Sequence, residues 1–148
     1  MSVGAGMREG EVVFKLVDKD YRTRCKVTQY DYEYAEDHIL TLQSASKGKG
    51  VNLVFLGDGY DAEKIADGTY LKDMKQQMEY FFGVPPYSTY RDYFQVYTGI
   101  ALSQEKGTGT LNTICYNKFG TTHMSEGVEL KGDDNLIFDY ACKEKSGP

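Results

Sequence analysis

The stretch Val51-Asn52-Leu53-Val54-Phe55-Leu56-Gly57-Asp58-Gly59-Tyr60 decides how the rest of the chain is read. A nearly continuous apolar run enters a Gly-Asp-Gly turn, the pattern of a strand buried on both faces in the middle of a sheet. From Asp61 the period becomes helical: Ile65, Leu71, Met74, Met78, Phe81 and Phe82 share a face, Asp61 caps the start, and Glu63 lies near the positive end of the dipole. Gly68 falls inside this helix, where Gly costs about 1 kcal/mol relative to Ala. Gly83 and the pair Pro85-Pro86 end it. Tyr93-Phe94-Gln95-Val96-Tyr97-Thr98-Gly99-Ile100-Ala101-Leu102 then reads as a second long strand. Strand, helix and strand at this spacing predict a parallel pair joined by a right-handed crossover.

Toward the N-terminus the pattern is different. Val12-Val13-Phe14-Lys15-Leu16-Val17 and Val27-Thr28-Gln29-Tyr30-Asp31-Tyr32-Glu33-Tyr34 tend to alternate, with Tyr30, Tyr32 and Tyr34 on one face and Asp31 and Glu33 on the other. This predicts antiparallel strands with one wet side. Small and polar residues, twice punctuated by Gly, follow in Ser44-Ala45-Ser46-Lys47-Gly48-Lys49-Gly50. Such a stretch marks a plausible boundary, so the chain divides into a β-rich segment over 1–46, a linker over 47–50 and an α/β segment over 51–148.

Toward the C-terminus, residues 103–131 are rich in Gly, Thr and Asn, with little periodicity. Loops of that length in compact domains are usually functional or disordered. Asp133-Asp134-Asn135 supplies helix caps for a short amphipathic helix carrying Leu136, Phe138 or Ile137, Tyr140 and Ala141. A parallel sheet built this way needs a further strand to receive that last helix. The fold class is therefore α/β (or α+β), a β-rich N-terminal segment followed by a parallel βαβα unit expected to be incomplete within these residues.

Composition narrows the chemistry. The 148 residues carry 17 Lys plus Arg against 22 Asp plus Glu, a formal net charge of −5, which leaves little electrostatic drive toward nucleic acid. The opening residues contain no apolar run of signal-peptide or membrane-helix length. Cys25, Cys115 and Cys142 have no C-x-x-C spacing, so at most one bridge forms, with Cys115 and Cys142 as one pairing to check.

Gly57-Asp58-Gly59-Tyr60-Asp61-Ala62 fits G-x-G-x-x-A between a strand and a helix, which makes a nucleotide-binding α/β module one alternative, with Glu105 as the ribose-binding acid. Against it, Asp58 and Asp61 put two carboxylates where a pyrophosphate would dock, and Glu105 lies well beyond the roughly 20-residue offset of that fingerprint. His123 and Glu126 are three residues apart, the candidates for a metal-bound pair. A catalytic zinc wants three protein ligands, and the Gly-Thr-rich surroundings are not helical in pattern, so a solvated loop histidine is the competing account. Asp31, Glu33, Glu36 and Asp37 lack the Gly-punctuated geometry of a calcium loop. No G-x-S-x-G occurs, and Cys115 has no basic sequence neighbour to lower its pKa. Thirteen tyrosines leave a further alternative, a Tyr-rich module for glycan or protein using residues such as Tyr30 and Tyr32.

The run Gly48-Lys49-Gly50 through Gly57-Asp58-Gly59-Tyr60 resembles the opening of the catalytic domain of the IgA peptidase family of bacterial zinc metallopeptidases. Asp73-Met74, Tyr80-Phe81-Phe82, Pro86-Tyr87, Tyr90-Arg91-Asp92-Tyr93-Phe94-Gln95-Val96-Tyr97, Asn112-Thr113-Ile114-Cys115 and Phe119-Gly120-Thr121-Thr122 continue the likeness in order and spacing over residues 48–142. The β-rich residues before them resemble the end of that family's N-terminal domain. The resemblance implies a secreted or cell-envelope hydrolase with a three-layer α/β/α domain, in which H-E-x-x-H binds zinc and its Glu activates the attacking water. No H-E-x-x-H occurs in this sequence. The metal-binding helix is expected beyond residue 148, so the chain alone is expected to lack catalytic residues and to bind no catalytic zinc. Asp58 and Glu105, at the carboxyl ends of the two strands, are then the candidates to line a substrate cleft or support the groups that do. A protein or peptide is the implied substrate of the full-length enzyme, and an unfinished sheet leaves an edge open to self-association.

Overall fold

In the computed structural model the described residues are 7–16, 19–30, 36–124 and 129–143, the first two stretches as backbone. β1 (Met7–Leu16) and β2 (Lys19–Tyr30) form an antiparallel ribbon in which Met7 opposes Tyr30 and Leu16 opposes Lys19. Strands were expected in this region. Asp31, Tyr32, Glu33 and Tyr34 lie outside the described residues, as does the side chain of Tyr30.

The principal sheet contains β3 (Ile39–Gln43), β4 (Val51–Phe55) and β5 (Phe94–Gly99) in the order β3-β5-β4. β4 runs parallel to β5, Val51 beside Phe94 through Phe55 beside Thr98, as the strand-helix-strand pattern predicts. β3 runs antiparallel to β5. Two expectations change at this sheet. The middle strand is β5, where Val96 and Thr98 are both 0% exposed, while β4 lies at an edge with Val51 at 55%. An apolar run reports how many side chains are covered, not where the strand sits in the order. Residues 44–50 also connect two strands of one sheet, so the boundary expected at 47–50 falls inside a folded unit. Ser46 and Lys47 donate backbone hydrogen bonds to the Asp92 carbonyl at 2.9 and 3.0 Å, fastening this connection to the approach to β5.

The expected single helix is two. Asp61 caps α1 (Ala62–Ala66), its Oδ1 accepting from the Lys64 amide at 3.0 Å. Gly68 then takes a left-handed conformation, φ 81°, and α2 (Thr69–Phe82) begins. A Gly in that region ends one helix without the Cβ penalty that another residue meets. α2 buries Tyr70, Met74, Met78 and Phe82, one residue per four, against the sheet. Leu40, Phe55 and Ile100 receive its N-terminal half; Leu53, Phe94 and Val96 receive its C-terminal half. Beyond it come α3 (Tyr87–Tyr90) and a 3-10 turn at Arg91–Tyr93. Arg91 grips Glu79 of α2 with two hydrogen bonds of 2.7 and 2.8 Å and donates from Nε to Gln43 Oε1 at 2.7 Å, joining helix, turn and β3.

The second long strand stops at Gly99; Ile100 and Ala101 stay buried in the loop that leaves it. The excursion beyond holds only two-residue strands, β6 (Gly109–Thr110), β7 (Thr122–His123) and β8 (Leu130–Lys131), in the order β6-β7-β8. α4 (Asp134–Lys143) forms where its caps predict, with Asp133 Oδ1 accepting from the Asn135 and Leu136 amides at 2.9 and 3.2 Å. Its apolar face is less covered than expected, with Leu136 48% and Phe138 67% exposed. The architecture is thus mixed α/β, and among the described residues no helix is long and apolar enough to cross a membrane.

Candidate functional site at the carboxyl edge of the sheet

Past the end of β4 the chain turns through Gly57-Asp58-Gly59, and the Asp58 side chain points back toward the excursion rather than out to solvent. Oδ1 accepts from its neighbour Gly59 N at 2.8 Å and from the Ser103 hydroxyl at 3.2 Å. Oδ2 accepts from Phe119 N and Thr121 N, both at 3.1 Å, and from the Thr121 hydroxyl at 2.6 Å. Five donors on one carboxylate, four of them distant in sequence, make Asp58 the anchor on which the loop after β5 is wrapped. Charge-assisted hydrogen bonds of this kind are about twice as strong as neutral ones.

Ser103, 2% exposed, is the second member of the node. While donating to Asp58, its hydroxyl accepts from Gly59 N at 3.1 Å and Lys118 N at 2.9 Å, and its own amide donates to the Tyr60 carbonyl at 2.9 Å. Gly59, at φ 75°, receives the 107 backbone so closely that a Cβ would strike the Gly107 carbonyl; the Gly107 amide donates to Gly59 O at 2.8 Å. Only Gly satisfies both the angle and the approach.

Two tyrosines hold this edge from the helix side. The Tyr70 hydroxyl, fully buried, donates to the Gly99 carbonyl at 2.5 Å and accepts from Gly57 N at 3.3 Å, tying the ends of β4 and β5 together. Tyr60 packs edge-on to the Tyr70 ring, 4.9 Å between centroids, and donates to Asp73 Oδ2 at 2.9 Å. Burial, reinforced by the Asp73 carboxylate, pushes the Tyr60 phenol up to about 12.

Glu105, the other carboxylate expected at the cleft, is exposed and spent on its own loop. Its Oε2 accepts from Tyr116 N at 3.0 Å, and its amide donates to the Tyr116 carbonyl at 3.1 Å. The Cys115 thiol is pushed up by burial and by the charges of Glu105 and Asp58, the opposite of what a nucleophilic thiolate needs, and donates weakly to the Lys106 and Gly107 carbonyls. Cys115 and Cys142 are both free thiols. The Lys118 ammonium pairs with Glu36 Oε1 at 2.9 Å and Asp37 Oδ1 at 3.3 Å; burial would lower its pKa, and the two carboxylates outweigh it to leave a net rise. Two clefts flank Lys118. One of about 410 Å³ is bordered by Glu36, Ser103, Gln104, Tyr116 and Asn117, the other of about 280 Å³ by Asp37, Phe119, Leu136 and Tyr140.

His123 is half-buried in β7, its Nδ1 shielded from solvent and without a hydrogen-bond partner among the described residues; Glu126 lies outside them. Among the described residues no three His, Cys, Asp or Glu side chains converge as a metal site. The amides that would have to cradle a pyrophosphate after β4 are also engaged within the chain: Gly57 N with Tyr70, Gly59 N with Asp58 and Ser103, and Lys64 N with Asp61.

Sequence reasoning placed Asp58 at this edge but missed Ser103, Thr121, Tyr70 and Lys118. The available signal was chemical: a carboxylate between two glycines needs donors, and the Gly- and Thr-rich excursion is the richest supply. Partners 45, 61 and 63 positions away carry no periodicity that would identify them. Compared with protein-family models and with curated proteins, the chain matches none.

Proposed function

We propose that this chain is the N-terminal part of the catalytic region of an IgA-peptidase-like zinc metallopeptidase, acting on a protein or peptide outside the cell or in its envelope. One observation carries the proposal beyond the resemblance itself. Segments that resemble the family at residues 48–60 and 119–122 meet in space: Asp58 from the first accepts hydrogen bonds from Phe119 and Thr121 of the second. A second meeting of such segments is the parallel pairing of Val51 with Phe94 through Val54 with Tyr97. Segments that touch in this way support reading them as parts of one structural unit.

On this proposal the contribution of these residues is architectural. Asp58 and Ser103 fix the wall of the crevice that an open α/β sheet forms beyond the carboxyl ends of its strands. The described residues supply no zinc site, and no chemical step is assigned to them. Zinc bound by an H-E-x-x-H helix elsewhere in the enzyme would supply the activated water.

The test compares this chain with one extended by whatever coding sequence its gene carries past residue 148. With zinc added, the 148-residue chain is expected to cleave no peptide, and the extended chain, carrying H-E-x-x-H, is expected to cleave. Zinc-dependent cleavage by the short chain overturns the proposal, as does an extended chain that lacks the motif or fails to cleave.

A further inference from the structure

Phe119 is buried and makes three contacts that join parts of the chain distant in sequence. Its amide donates to Asp58 Oδ2 at 3.1 Å. Its carbonyl accepts from the amide of Asp133, the residue that caps α4, at 2.8 Å, and its ring meets the Tyr140 ring edge-on with 5.3 Å between centroids. Lys118 repeats the arrangement one position earlier. Its amide donates to the Ser103 hydroxyl at 2.9 Å, while its ammonium lies 5.4 Å from the centre of the Tyr140 ring and pairs with Glu36 and Asp37. The amides of both residues are thus fixed by the Asp58 and Ser103 node, and their side chains by α4 and the segment that enters β3. A surface helix usually docks by a stripe of buried apolar residues. No residue of α4 is buried, and a cleft of about 280 Å³ opens among Ile39, Phe119, Leu136 and Tyr140. Two points of attachment, at its cap and two turns later at Tyr140, both fall on Phe119.

We propose that Phe119 and Lys118 couple α4 to the Asp58 carboxylate, so that a change in the wall of the crevice shifts α4 and a change at α4 loosens the wall. The peptide groups on either side of Phe119 are planar and its ring is packed, so amide, carbonyl and ring move as a block. A displacement of the amide that Asp58 holds therefore carries the carbonyl that Asp133 holds and the ring that Tyr140 meets. Lys118 adds a second tie between the same two places, because its amide and its ammonium are held at opposite ends. Coupling of this kind is reciprocal: the free energy that links two sites is the same read from either one. A group that docks against the crevice wall thereby biases α4, and a group that docks on α4 biases the wall. The coupling does not rest on the peptidase assignment and stands or fails separately from it.

Amide hydrogen exchange read residue by residue tests the coupling, with Val96 in the centre of the sheet as the reference for global opening. Tyr140→Leu is expected to accelerate exchange at the Phe119 and Thr121 amides, the two that donate to Asp58 Oδ2, by about tenfold relative to Val96. Lys118→Met is expected to accelerate them by about threefold, and Lys118→Arg, which keeps the charge, to leave them within about twofold of the parent chain. Read from the other end, Thr121→Val is expected to accelerate the Tyr140 and Ala141 amides by about threefold relative to Val96. Should Tyr140→Leu fail to fold, Lys118→Met carries the test. Unchanged exchange at Phe119 and Thr121 in the Tyr140 and Lys118 variants overturns the coupling. So does an effect that runs in one direction only, or an acceleration no greater than that at Val96.

Discussion

The Thr121 hydroxyl donates a 2.6 Å hydrogen bond to Asp58 Oδ2 across 63 positions of sequence. That bond, with those from Phe119, Ser103 and Gly59, makes one carboxylate responsible for the path of a loop that has almost no regular structure of its own. The consequences are measurable.

Asp58→Asn keeps the size of the side chain but removes its charge and turns an amide NH₂ toward groups that are themselves donors. A buried donor left facing donors costs its full desolvation. The substitution is expected to destabilise the fold by about 3 kcal/mol and Thr121→Val by about 1 kcal/mol, with the double variant losing less than the sum because the two share a bond. Urea unfolding measures all three. Additive losses, or an Asp58→Asn change below about 0.5 kcal/mol, would show that the node does not organise the loop.

Gly68→Ala separates one continuous helix from two. In the interior of a single helix the change would stabilise by about 1 kcal/mol. At φ 81° it is expected to destabilise by about 1 kcal/mol, because a Cβ there is strained although the space around it is open. The sign of the change in thermal midpoint decides.

Tyr70→Phe removes only an oxygen, yet leaves the Gly99 carbonyl and the Gly57 amide without the partner that now joins them. A loss of about 2 kcal/mol is expected. Amide exchange at Gly57 should accelerate relative to that at Val96 in the centre of the sheet. Unchanged protection at Gly57 would count against the bond.

Tyr60 sets an alkaline limit. Its phenol ionises at about 12 in the folded chain against 10.0 for an unperturbed tyrosine, so the neutral form is the one the fold favours. The contribution to stability is fully present below 10.0 and is lost as pH rises through about 12. Tyr60→Phe is expected to flatten that decline in denaturant unfolding followed from neutral to alkaline pH. Equal slopes for the two proteins would refute the assignment.

Much of the framework is legible along the chain because the signals are local. The apolar run before Gly57, the four-residue spacing of Met74 and Met78, and the caps at Asp61 and Asp133 each depend on residues within a turn or two of one another. The break at Gly68 is harder to see. A helical period continues across it, and only the left-handed backbone angle shows that the glycine is used for its freedom and not merely tolerated. Residues 47–50 mislead for a related reason: a short polar turn between two strands of a sheet and a linker between domains have the same composition.

By itself, then, the sequence determined the cores of β4, β5 and α4 and the helical stretch between the two strands, that β4 and β5 run parallel through a helical crossover, and that an acidic turn stands at the carboxyl edge of the sheet. These follow from periodicity and capping, which act over a few residues. Only the tertiary structure decided that β5 and not β4 is the middle strand, that β3 joins the same sheet, and that Asp58 is satisfied by Ser103, Phe119 and Thr121. Sheet order and hydrogen-bond partnership are settled by which distant groups can be buried together without leaving a donor or acceptor unpaired, a condition on the whole chain that no local window contains.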